Sequence, residues 1–240
     1  MINIRRLFAL TIVVAGLSLA LAACGGDSTS DATASPTVSP SPSPTLAAAD
    51  LNALLLPVQQ VVVDGTTLAY SAADSKAVTR ADILDGSFDP TRDAGELDQY
   101  GFQGGQRQIF AKANDDGTGV FFVGATLDLT DSTEHASQVP DAQAADFESD
   151  VGKAATDASG TEIKFDSSTP YVPTGIAGAH GYLQQVEFNG TKVYFTNIAF
   201  ARGPLVLLVS TAAYDAKDHK ADTEALAQQL DAHVSTKVKS

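Results

Sequence analysis

Residues 182–210 read YLQQVEFNGTKVYFTNIAFARGPLVLLVS, and this stretch decides the fold. Residues 182–188 and 192–201 are rich in aromatic and β-branched side chains. Between them stands Asn189-Gly190, the dipeptide best suited to the positive-φ positions of a tight hairpin turn. Gly203-Pro204 breaks the second run, and residues 205–210 return as a third. Three consecutive runs with tight connections predict an antiparallel meander. Leu205, Val206, Leu207, Leu208 and Val209 are apolar at every position, so this strand is expected to be central or covered on both faces.

On the C-terminal side, residues 216–238 place Thr223, Leu226, Ala227, Leu230 and Val234 on one face of a helix that should pack on the sheet. On the N-terminal side, residues 106–113 and 119–129 read as a hairpin around Asn114-Asp115-Asp116-Gly117. In its second strand Phe121, Val123, Ala125, Leu127 and Leu129 share one face, and Val120, Phe122 and Gly124 the other. A helix is expected over 140–158, with Ala144, Phe147, Val151, Ala154 and Ala155 at helical spacing, an acidic opposite face, and Ser159-Gly160 ending it. A short strand at 161–165 and a loop at 170–181 follow.

The folded part opens with a short helix over 49–56, with Asp50 as its N-cap, Leu51, Leu54 and Leu55 on one side, and Pro57 ending it. Residues 58–63 and 66–70 form a hairpin around Asp64-Gly65. Between 71 and 101 only residues 75–84 suggest a short helix, and the rest reads as loop. The sum is an α+β fold: one domain over 49–240, an antiparallel sheet with a C-terminal three-strand meander, packed by two longer helices.

The first residues carry an address. Arg5 and Arg6 precede a nearly uninterrupted apolar run from Leu7 to Leu21, followed by Ala22, Ala23 and the chain's one cysteine, Cys24. The run is about 15 residues before the small residues begin, short against the ~20 that cross a bilayer, so it reads as a cleavable export signal over 1–23. Leu21-Ala22-Ala23-Cys24 resembles the lipobox of bacterial lipoproteins. The resemblance implies that Cys24 is the diacylglycerol attachment site and, after cleavage behind Ala23, the mature N-terminus. Two acyl chains, at ~0.8 kcal/mol per buried CH₂, anchor a protein stably to the outer face of the cell membrane. A secretory signal with an Ala-x-Ala-like site and a non-cleaved anchor are the other readings of these residues.

After Cys24, the segment 24–48 is Gly, Ser, Thr, Ala, Asp and Pro with almost nothing large to bury, including Ser-Pro at 35–36, 39–40, 41–42 and 43–44. That composition cannot offset the entropy of ordering, so a disordered stalk is expected, about 27 Å long as a flexible coil. Without residues 1–23 the chain holds 13 basic against 29 acidic residues, or −16. Such a charge repels phosphate backbones and anionic head groups, so no nucleic-acid partner is expected and any tether must come from lipid. With Cys24 modified no disulfide can form, so the core alone must stabilise the domain.

The domain also resembles the extracytoplasmic sensor-type domains of actinobacterial lipoproteins and receptor kinases, on Leu54-Leu55-Leu56, Gly178-Ala179-His180-Gly181 and residues 202–209 with the helix after them. The resemblance implies sensing of a ligand or of the envelope. Kinase sensor domains of that kind usually carry disulfides, which this chain lacks.

Candidate sites are few. The loop holding Gly175, Gly178, His180 and Gly181 is the expected ligand-binding element, since loops carry binding residues disproportionately. The alternative is a tight crossover before a strand, and the glycines do not stand in dinucleotide-binding order. His219, among Asp215, Asp218 and Asp222, has carboxylates in reach but no recognised metal-ligand spacing, so it reads as a solvated acidic helix start. His233 borders the apolar face of the last helix, and His135 has no telling context. Residues 114–117 lack the remaining ligands of a calcium loop, and Asn189-Gly190-Thr191 matches a glycosylation sequon but reads as a turn. No Gly-x-Ser-x-Gly elbow occurs. The expectation is therefore a lipid-anchored, non-catalytic binding or sensing module of the cell envelope with no cofactor and no metal. Its partners would be the membrane, through Cys24, and an unknown envelope ligand. The alternatives are a secreted hydrolase or metal-dependent enzyme with a non-local site, and a structural envelope-assembly factor.

Overall fold

The structure is a computed structural model that describes residues 46–56, 60–63, 65–69, 75–110, 119–157 and 160–238. The expected signal, Cys24, nearly all of the stalk and the turn at 114–117 lie outside the described residues. In chain order the strands are β1 (Gln60–Val63), β2 (Thr66–Ala69), β3 (Lys76–Val78), β4 (Gly104–Phe110), β5 (Val120–Leu129), β6 (Ala154–Thr156), β7 (Glu162–Tyr171), β8 (His180–Phe188), β9 (Thr191–Arg202) and β10 (Leu205–Ala213). The helices are α1 (Arg80–Asp85), α2 (Pro90–Gln99), α3 (Thr133–Ser149) and α4 (Lys220–Ser235), preceded by a 3-10 helix over Ala48–Leu54.

Eight strands build one antiparallel sheet in the order β3-β4-β5-β10-β9-β8-β7-β6, and β1 and β2 pair as a separate hairpin. The meander predicted from 182–210 forms: β8, β9 and β10 are neighbours, and Asn189 and Gly190 turn at φ 46° and 82°. β10 lies between β5 and β9 and is buried along its whole length. Because side chains alternate across a strand, Leu205, Leu207 and Val209 meet Leu226, Leu230 and Val234 of α4, while Val206 meets Ala136 and Val139 of α3. The two longer helices thus cover opposite faces of the central strands. All five residues expected on the inner face of α4 are buried there.

The N-terminal leucines join the α4 side. Leu51, Leu54, Leu55 and Leu56 are buried, and Gln108 on β4 clamps Leu56 in both directions, its Oε1 accepting from the Leu56 N–H at 3.0 Å and its Nε2 donating to the Leu56 carbonyl at 2.9 Å. The first helix is 3-10 rather than α. Asp50 is its third residue, not its N-cap, and accepts from the Ala47 N–H.

Five other expectations are corrected. Residues 75–84 split into β3 and α1, because Thr79 caps the helix by accepting from the Asp82 N–H. Helix α2 stands where a loop was expected. Helix α3 begins at Thr133, seven residues before the expected start, because Ser132 caps it, and it carries Pro140 inside. It ends at Ser149, so Ala154 and Ala155 lie in β6, paired with β7, and Val151 is 41% exposed rather than core. Strand β7 continues to Tyr171, with Pro170 opposite Tyr182, so the loop shrinks to 172–179. A register shift at Ala212/Ala213 also turns Val120 toward the α4 side, away from Phe122.

Candidate functional site

Helix α2 is polar in sequence yet half inserted. Asp89 caps it, Pro90 opens its first turn, and the residues it buries are Asp93, Glu96 and Leu97. Helix α3 buries Gln143, Asp146 and Phe147 at its C-terminal half, and its C-cap Asp150 is fully buried. An acidic surface that looks solvent-facing in sequence is therefore partly interior. Arg92 forks onto Asp150, Nη1 and Nη2 each donating at 3.0 Å, and Lys153 Nζ reaches the same carboxylate at 3.1 Å. Burial works against the Arg92 charge, but the hydrogen bonds and charge of Asp150 more than offset it and raise its pKa.

Residues of α1, α2 and α3 line a partly open cavity of about 30 Å³ against the end of β5 and the start of β10. Its apolar walls include Leu97, Phe102, Val139 and Val206, and its polar lining is Glu96, Asp128, Thr130, Gln143 and the half-polar Tyr100. The Thr130 hydroxyl is committed to the carbonyls of Ser132 and Pro204, at 2.8 and 2.9 Å. Both carboxyl oxygens of Glu96, Oδ1 of Asp128 and Oε1 of Gln143 are buried with no hydrogen-bond partner among the described residues. Glu96 is 1% exposed, Gln143 2% and Asp128 8%.

Burial without partners disfavours the ionised form. Burial, then the charges of Asp146 and Asp93, push Glu96 up to about 9. Burial pushes Asp128 up to about 7, with the Arg107 charge pulling it down. Asp146 rises to about 7 for the same reason, with Arg92 pulling the other way, and burial raises Asp93 as well. Glu96 therefore holds its proton at neutral pH, and Asp128 and Asp146 titrate near it.

The residues singled out in the sequence lie elsewhere. Gly175 turns at φ 75° against Gln228 of α4, whose amide donates to the Thr174 carbonyl. His180 opens β8 with its Nε2 3.0 Å from Asp141 of α3, on the opposite face of the sheet. Gly178 turns at φ 69° in a segment whose Ile176 and Ala179 are buried, and Gly181 lies against the Tyr171 ring. These four residues do not converge on one cavity. Arg202 fastens the same segment to α4, bonding Asp231 through Nε and Nη2 and the Ala177 carbonyl through Nη1.

The histidines are also dispersed. His219 is 3% exposed and its ring nitrogens lie 3.5 Å from Asp215 and 3.9 Å from Asp222, beyond good hydrogen bonds, so it is a buried residue rather than a solvated one. His135 pairs with Asp131 at 2.6 Å, and His233 sits half-buried on α4. No group of three or more His, Cys, Asp or Glu among the described residues is arranged to hold a metal ion. The cavity residues Glu96, Asp128 and Gln143 were missed by motif reading. One signal was present: Asp128 interrupts a strand that is otherwise apolar or small on both faces.

No protein-family model matches the chain, and no curated protein matches its sequence. No helix among the described residues is long and apolar enough to cross a membrane. Among solved structures, the chain is similar to the extracellular domain of PknH from Mycobacterium tuberculosis, at 13% identity and a TM-score of 0.47, over 78% of this chain and 96% of that one.

Proposed function

We propose that this chain is a lipid-anchored binding or sensing module of the cell envelope, non-catalytic, with its ligand site in the cavity under α1, α2 and α3. The anchor reading rests on Leu21-Ala22-Ala23-Cys24 after a short apolar run, and the stand-off on the Ser/Thr/Pro-rich stalk. The binding reading is carried by one observation: a mostly apolar cavity whose buried oxygens on Glu96, Asp128 and Gln143 have no partner in the described chain. A few unpaired polar groups converging in an apolar pocket are the usual anatomy of a small-ligand site. The hydrolase alternative asks for a histidine beside carboxylates in that pocket, and neither His180 nor His219 lines it.

Two experiments test the reading. Cells fed an alkyne fatty acid should label the wild-type protein and leave Cys24→Ser unlabelled; equal labelling of both overturns the anchor. For the site, Val139→Leu adds a methylene to the cavity wall, and any envelope lipid, glycan or peptide that raises the melting temperature of the wild type should fail with this variant. A ligand that stabilises both equally places the site elsewhere.

A further inference from the structure

We propose that the cavity takes a small organic cation of the primary-ammonium type, held by Glu96, Asp128 and Gln143, an assignment that rests on the binding-module reading above. The oxygens left without partners, two on Glu96 and one each on Asp128 and Gln143, are acceptors once the acids are ionised. A ligand that satisfies them must donate. An ammonium group offers three N–H donors from one centre, a match to three side chains lining one small space.

Charge points the same way. The interior beneath α2 and α3 holds Asp93, Glu96, Asp146 and Asp150 at 3% exposure or less, and Asp128 of β5 lines the cavity together with Glu96. The cations near this group are already engaged: Arg92 bonds Asp150 and lies 3.4 Å from Asp93 through its Nε, Lys153 bonds Asp150, and the Arg107 charge acts on Asp128; none of these three lines the cavity beside Glu96. A neutral ligand would leave the carboxyls to keep their protons; a cation would let Glu96 and Asp128 ionise against it, the protons passing to solvent. The walls decide what kind of cation. Leu97, Val139 and Val206 are apolar and the cavity is about 30 Å³, so a metal ion with its water shell meets surface that cannot hydrogen-bond that shell, whereas a short alkyl substituent is matched by it.

The test is calorimetric titration of the full chain in detergent at pH 7.5 and constant ionic strength, with methylammonium chloride as the probe. Ethanol serves as the neutral control and calcium and magnesium chloride as the metals. Saturable one-to-one binding of methylammonium is expected, with none of ethanol. Glu96→Gln should weaken it at least tenfold without lowering the melting temperature, and Asp141→Asn, away from the cavity, should leave it unchanged. Absence of methylammonium binding, equal binding by Glu96→Gln, an equal response to ethanol, or displacement of methylammonium by a divalent ion overturns the assignment. If methylammonium is ignored but a neutral or anionic envelope compound binds and is lost in Val139→Leu, the cationic assignment fails and the binding module stands. If no compound is lost in Val139→Leu, both fail.

Discussion

Replacing Glu96 by Gln keeps the shape and removes the ionisable group, so the variant should be more stable than the wild type at alkaline pH and closer to it at pH 5. The sign follows from linkage. In the unfolded chain these acids lose their protons near 3.8 to 4.5, whereas in the folded protein Glu96 holds its proton to about 9 and Asp128 and Asp146 to about 7. Between those limits the folded state binds more protons than the unfolded one. Stability from these groups is therefore full below about pH 4 and lost as pH rises, most between 4 and 7 and further toward 9. Asp82 runs the other way, since hydrogen bonds from Lys76 and Thr79 hold its pKa down, so its contribution is lost only in strong acid. Urea unfolding at pH 5 and 8.5 checks this: the wild-type midpoint should be higher at pH 5, and Glu96→Gln should narrow the gap. Arg92→Ala should be the opposite kind of change. It strips two hydrogen bonds from a fully buried Asp150 and leaves it Lys153 and Ser149 as side-chain partners among the described residues, a loss of about 3–5 kcal/mol in the same assay.

Among the elements, β10 and the β7-to-β8 connection carry contrasting expectations. Leu207 is fully buried in the strand that both helix layers share, so Leu207→Ala should cost about 2–5 kcal/mol and lower the melting temperature sharply. At Gly181 the reason for glycine is Tyr171 on the neighbouring strand: an added Cβ would come within 2.5 Å of its ring. Gly181→Ala should destabilise by about 1–3 kcal/mol. If it instead left stability untouched while abolishing binding of a ligand, the loop rather than the cavity would be the site. Helix α2 shows how an element escapes pattern reading. Its caps, Asp89 and Pro90, are ordinary start signals, but its buried face is Asp93, Glu96 and Leu97, so no apolar periodicity marks it.

Over the molecule as a whole, the first and last segments of the folded part lie together. Leu46 and Val238 both pack against the α4-side core, and Lys237 Nζ donates to the Ala53 carbonyl at 2.7 Å. Limited proteolysis of the full chain should remove the Ser/Thr/Pro-rich stalk and stop at a resistant core beginning near Leu46; mass spectrometry reads the boundary, and cuts spread through residues 80–150 would contradict it. The meander, the doubly covered β10 and the inner face of α4 were legible along the chain because local turn chemistry and strict periodicity set them: Asn189-Gly190 makes one turn whatever surrounds it, and Leu226, Leu230 and Val234 recur on one side of any helix. The bounds of α3 were not, because Ser132 as a cap and the pairing of Ala154 with Lys164 compete with an alanine-rich helical pattern that continues past Ser149. Nor was the cavity. An acid on a helix surface reads as solvated, and only the docking of α2 and α3 on the sheet decides that Glu96, Asp146 and Asp150 face inward, where lost hydration makes an ionised carboxylate costly unless a partner meets it.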